Sequence, residues 1–150
     1  MKNDNKGFSL IELIVVIAIM AILVGALAPQ YMKFVERSRK SADIQNVAAI
    51  KSALEIYAAD PMVATADALG TGKVTITTTE GAVSATGNGD KALAAAGITT
   101  VGLKSSKWPD ASGANISSYD LSYTVSPSGT INFTETGMSA GYSLLKGQYQ

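Results

Sequence analysis

One carboxylate stands out for where it sits. Glu12 is the only charged side chain in residues 8–28, a run of 21 that is otherwise almost entirely apolar. A charged carboxylate at the centre of a hydrocarbon layer costs about 2.5 to 3.5 kcal/mol on insertion scales, and less near an end where it can reach headgroups. Glu12 is near an end, so it can simply snorkel, or it can wait for a cation. No Lys or Arg lies between Lys6 and Lys33, so the cation must come from another chain or from a newly made amino terminus. The remaining chemistry is sparse. The 150 residues contain no His and no Cys, which removes the usual zinc sites, Ser/His/Asp and Cys/His nucleophiles, the histidine pH switch and any disulfide. Asp110 and Asp120 are the nearest thing to an acid/base pair of a membrane-anchored enzyme. Two acids ten residues apart in loops carry no such signal without a pocket. We therefore assign no catalytic residue, no metal ligand and no cofactor. Twelve basic residues balance twelve acidic ones, so there is no electrostatic footprint for nucleic acid and no specific nucleic-acid site is evident.

The element that carries Glu12 has the dimensions of a membrane span. As a helix, residues 8–28 reach about 31 Å at about 1.5 Å per residue, close to the thickness of bilayer hydrocarbon. A secretory signal peptide is an alternative, with Lys2 and Lys6 as its basic start and Ala26-Leu27-Ala28 as its cleavage site. Against it stand an apolar run of 16 residues from 13 to 28, the acid within the apolar stretch, and Pro29 directly after the cut. A plain anchor leaves Glu12 unexplained. Gly25 and Pro29 interrupt the pattern, and proline removes one backbone donor and crowds the carbonyl four residues back, so a helix kink or local melting is expected at 25–29.

The residues Lys6-Gly7-Phe8-Ser9-Leu10-Ile11-Glu12-Leu13-Ile14 resemble the cleavage and methylation motif of type IV prepilins. A short polar leader, Gly before the cut, Phe after it, an acid at the fifth mature position and an uninterrupted apolar run occur together. The resemblance implies that prepilin peptidase cuts between Gly7 and Phe8 and methylates the new Phe8 amine. It implies that Glu12 neutralises the Phe8 ammonium of a neighbouring subunit during assembly. It further implies a homopolymer of pilin subunits, an assembly platform and motor, a precursor in the cytoplasmic membrane with its globular part outside, and a cell-surface pilus serving adhesion, twitching motility or DNA uptake. The alternative within the same motif is a major pseudopilin of a type II secretion system. Such proteins typically carry an acidic calcium loop near the C-terminus, whereas the last sixteen residues here hold one acid, Glu135. A count of flanking charges, Lys2 and Lys6 against Lys33, Arg37, Arg39 and Lys40, favours the opposite orientation.

The rest of the chain divides into a leader (1–7), the transmembrane and assembly helix (8–29) and a globular part (30–150) made of an amphipathic helix (30–59) and a strand-and-loop region (60–150). Val47, Ile50, Leu54 and Tyr57 step by three and four along one stripe, which Ala49, Ala53 and Ile56 widen. Tyr31, Phe34 and Tyr57 read as core aromatics, and the charges between Lys33 and Asp43 as a solvated face or as partners for a neighbouring subunit. Asp60-Pro61 should stop the long helix and start a short one over 61–69. Residues 74–79 form the first strand candidate, and 90–96 a short capped helix ended by Gly97. Residues 121–125 and 131–133 form a hairpin about Pro127-Ser128-Gly129, with Phe133 as a principal core group, and 141–145 offer an edge strand. Trp108 is expected to plug the core. The expected fold is α+β: the pilin fold implied by the motif, a long N-terminal helix packed on a small antiparallel sheet. The cysteine pair that staples the C-terminal loop of well-known pilins is missing.

Overall fold

The computed structural model describes residues 8–78, 83–109 and 112–136. Helix α1 spans Leu10–Ala59, strand β1 Gly72–Thr77, strand β2 Val83–Ala85, helix α2 Gly89–Ala95, strand β3 Ser118–Val125 and strand β4 Ile131–Thr136. The four strands form one antiparallel sheet in the order β2-β1-β3-β4. The chain divides into two units, Met1–Arg37 and Ser38–Gln150.

In the first unit α1 is a helix of apolar residues, every one of which from Phe8 to Phe34 is exposed. Leu, Ile and Ala support a helix by propensity, and a helix satisfies its interior backbone groups within itself, the Gly25 carbonyl opposite Pro29 excepted. Its first turn is closed by one half of the capping box that the sequence spells as Ser-x-x-Glu: the Ser9 amide donates to Glu12 Oε2 at 2.9 Å. Helical structure continues through Gly25 and Pro29, so the subunit by itself shows no melting there.

In the second unit the part of α1 from Ser38 onward packs on the sheet, which gives the expected α+β layering. Val47, Ile50, Ala53 and Leu54 are buried, and across from them lie Val74 and Ile76 of β1 and Tyr119, Leu121 and Tyr123 of β3. Strict alternation puts those three β3 residues inward, as period-two patterning demands. The hairpin has the expected turn. Gly129 takes a positive φ of 81°, and Ser126 closes the loop on Thr130 at 2.9 Å, a three-residue connection with glycine in the left-handed position.

Several expectations change. Phe133 is only half-buried, because β4 is the edge strand of the described sheet. Lys51 Nζ lies over its ring, 5.1 Å from the centroid. The largest fully buried groups are instead Trp108, Tyr119 and Tyr123. Ile56 and Ala49, expected on the buried arc, are exposed, as are Tyr31 and Phe34, whereas Tyr57 does pack on the core. Residues 61–69 form successive turns and no helix. Asp60 does cap, accepting from the Met62 amide at 2.8 Å. The carbonyls of Ala66 and Ala68, however, are taken by the Asn88 side-chain amide at 3.2 and 3.0 Å, so a short helix with a costly nucleus never closes. The same diversion leaves α2 without a side-chain cap at Asn88, and α2 starts one residue earlier than expected. Its end is as expected: the amide of Gly97 (φ 72°) donates to the Ala94 carbonyl, and the Ile98 amide to the Leu93 carbonyl, the paired bonds of a Schellman motif. β1 begins at Gly72, earlier than expected, and Thr79 lies outside the described residues. β2 is too short to announce itself by pattern. The edge strand expected at 141–145 also lies outside the described residues.

Candidate assembly site

The N-terminal segment is where the candidate site residues fall. Gly7 lies outside the described residues. Phe8 precedes α1 and is 85% exposed. Glu12 sits in the first helical turn, where its carboxylate accepts the Ser9 amide and so offsets the positive end of the helix dipole. Ser9 is thus a participant that the residue-by-residue reading passed over, although the spacing of a Ser and a Glu three apart ahead of an apolar run is the ordinary signal for a capping box. The arrangement leaves Glu12 held at one oxygen by a backbone amide, one residue from the Phe8 nitrogen. Gly25 has open space where a Cβ would stand. Pro29, inside α1, cannot donate to the carbonyl of Gly25 four residues back. The helix is long and apolar enough to cross a membrane, with a mean hydropathy of 3.0 over its most apolar 18 residues, none of them buried.

The second unit shows how a domain without cysteines ties down a long loop. Asp43, on α1, is fully buried. Its Oδ1 accepts the Lys104 amide at 2.6 Å, and its Oδ2 accepts the Ser105 amide at 3.0 Å and Trp108 Nε1 at 2.9 Å. Lys40, one turn earlier and only 8% exposed, places its ammonium 4.9 Å from the Trp108 ring centroid, a cation over an aromatic face. Trp108 is therefore the expected core plug. Two of the charges read as a solvated face or as bridges to a neighbour are instead turned inward. No pattern in the helix reveals this, because the groups that satisfy Asp43 lie some 60 residues later.

Asp120 lies on β3. It accepts from Thr75 Oγ1 at 2.6 Å and pairs with Lys73 at 3.1 Å, a cross-strand tie on the sheet's other face; Asp110 lies outside the described residues. Among the described residues no group of three or more His, Cys, Asp or Glu side chains could hold a metal ion. Tyr123 donates its hydroxyl to the Thr86 carbonyl, with the Gly87 carbonyl also within reach at 3.1 Å. Gly72 and Gly89 make room for it, since a Cβ on either would meet the phenol. Burial, partly offset by hydrogen bonding at Gly89, pushes the Tyr123 hydroxyl pKa up. Burial, with the charge of Glu135, pushes that of Tyr119 up strongly, and the Tyr119 hydroxyl has no hydrogen-bond partner among the described residues.

Comparison with known proteins points to the same segment. A family model described as the prokaryotic N-terminal methylation motif matches residues 2–28. The prepilin peptidase-dependent protein A of Clostridium perfringens is 41% identical over 59 residues, which cover 39% of this chain and 42% of the relative. The type IV major fimbrial protein FimA of Dichelobacter nodosus is 38% identical over 60 residues, 40% of this chain and 38% of FimA. A fimbrial protein of Pseudomonas aeruginosa is 42% identical over 51 residues, 34% of this chain and 33% of the relative. The matched stretch thus spans well under half the length of each of these relatives. No solved structure matches.

Proposed function

We propose that this chain, whose N-terminal segment is that of a type IV pilin, is the structural subunit of a type IV pilus. It is made as a precursor in the cytoplasmic membrane, cut by prepilin peptidase between Gly7 and Phe8, methylated on the Phe8 amine, and polymerised through its N-terminal helix by an assembly platform and motor. The globular unit is then displayed on the filament for adhesion, twitching motility or DNA uptake. The observation that carries this reading is an apolar run, residues 8–28, exposed throughout, whose one acid, Glu12, is the fifth residue counted from Phe8.

The chemistry follows from that placement. Cleavage creates a cation at Phe8, the charge that the apolar run lacks. In the lone subunit the Glu12 carboxylate caps Ser9. When a neighbour's helix slides alongside, the carboxylate accepts the neighbour's Phe8 ammonium, an interaction that apolar surroundings strengthen and that only one stagger of the helices allows. A misregistered subunit buries an unpaired acid and is disfavoured. The carbonyl of Gly25, left without its donor by Pro29, makes residues 25–29 the weakest part of the helix and the place where it loosens on assembly.

The test is Glu12→Ala beside Glu12→Gln. Glutamine keeps an oxygen for the Ser9 amide but loses the charge. Both variants should accumulate in the membrane at normal abundance and give few filaments by electron microscopy. Normal piliation in Glu12→Gln would contradict charge pairing.

A further inference from the structure

The first unit continues beyond the apolar run with a face of a different kind. At about 100° per residue, Leu27, Tyr31 and Phe34 fall within about 60° of one another, and Gln30, Lys33 and Arg37 form the adjoining row. Tyr31 is 68% and Phe34 71% exposed, and Lys33 and Arg37 are exposed as well. The one acid nearby, Glu36, lies away from the aromatics, about 100° beyond Arg37 on the wheel but only about 60° from Lys33, three residues before it. If Ala28 ends the hydrocarbon span, Tyr31 stands about 5 Å, Lys33 about 8 Å, Phe34 about 9 Å and Arg37 about 14 Å past it, so that Arg37 meets headgroups only through its long side chain. The headgroup layer is about 5 to 7 Å deep on each side, and helical side chains lean back toward the N-terminus, here toward the membrane. Aromatics with interleaved cations at that depth match an interface, and two cations against the one acid Glu36 leave a net positive face that matches anionic headgroups.

We infer that Leu27, Tyr31, Lys33, Phe34 and Arg37 form a membrane-interface anchor that takes anionic phospholipid headgroups of the outer leaflet, and so holds the unassembled subunit at a fixed depth. This rests on the reading of residues 8–28 as a membrane span. It accounts for three of the four cations on the side that the count of flanking charges does not favour: Lys40 is committed to Trp108, and Lys33 and Arg37 are committed to lipid, which leaves Arg39.

The full chain, reconstituted in phosphatidylcholine nanodiscs containing phosphatidylglycerol, tests this with spin-labelled lipids. The reading is how strongly spin-labelled phosphatidylglycerol is immobilised at the protein relative to spin-labelled phosphatidylcholine. The preference should fall by at least about fivefold, and by up to about 25-fold, in Lys33→Gln/Arg37→Gln, since each of the two cations near an anionic surface contributes about fivefold. It should be unchanged in Lys51→Gln, and it should weaken in 1 M salt. No preference in the unaltered chain, or a preference that survives the double substitution, overturns the anchor. Alkaline carbonate extraction separates the two failures: a chain that washes off overturns the membrane span as well, whereas an inserted chain without preference overturns the anchor alone.

Discussion

Asp43 concentrates more of the second unit's stability in one side chain than any surface carboxylate could. Three N–H donors converge on it, and a buried donor stripped of its acceptor costs about 1 to 3 kcal/mol. Asp43→Ala should therefore destabilise the unit by at least about 3 kcal/mol in urea unfolding of a soluble fragment beginning at Gln30, which leaves out the apolar span. Wild-type stability would show that the 102–109 loop is held by other means. The two buried tyrosines should respond oppositely to loss of their hydroxyls. Tyr123→Phe removes a bonded hydroxyl and should cost about 1 kcal/mol, whereas Tyr119→Phe removes one without a partner among the described residues and should be neutral or stabilising. The sign of their pH dependence follows from burial. A folded-state pKa raised above the unfolded value contributes stability that is fully present below pH ~10, the ordinary tyrosine value, and is lost as pH rises further. Alkaline unfolding of the fragment should thus move to higher pH in Tyr119→Phe; an unmoved transition would show that another group drives it. At this scale the sequence is uneven to read. Glu12 is legible because a lone charge in an apolar run has few explanations. Asp43 and Lys40 are not, because a charge on an amphipathic helix looks solvated until the loop that covers it is known.

Elements were legible where local chemistry alone decides them. The β3–β4 hairpin follows from alternation and a Pro-Ser-Gly turn, and the end of α2 from Gly97. Residues 61–69 were not legible, since their carbonyls are claimed by Asn88 from the far side of β1 and β2. The reading of Phe133 failed for a similar reason: alternation gives the face a residue occupies but not whether its strand is at an edge. The join between β1, β2 and β3 can be tested through two glycines close in sequence. A Cβ at Gly72 would collide with the Thr86 carbonyl and the Tyr123 hydroxyl, whereas one at Gly70 meets nothing within 4 Å. Gly72→Ala should cost about 1 to 3 kcal/mol by overpacking. Gly70→Ala, which also carries no positive φ, should be neutral or stabilising by up to about 1 kcal/mol. Equal melting temperatures for the two variants would contradict the packing of Tyr123 against this turn.

For the whole molecule, two solutions to burial are joined in one chain. The unit from Ser38 buries its apolar groups against its own sheet and ties its 102–109 loop to α1 through Asp43, Lys40 and Trp108. The unit up to Arg37 leaves its apolar groups exposed along the helix, and such a surface requires lipid or other copies of itself. That contrast was visible in the sequence as a change of composition after Ala28, and it underlies the proposal that one half is for display and the other for assembly. The most direct measurement is the intact mass of this chain in filaments sheared from the cell surface. The expected species begins at Phe8, carries one methyl group on its amine and lacks residues 1–7. A chain beginning at Pro29, a chain retaining residues 1–7, or sheared filaments without this chain would contradict its role as a processed pilus subunit.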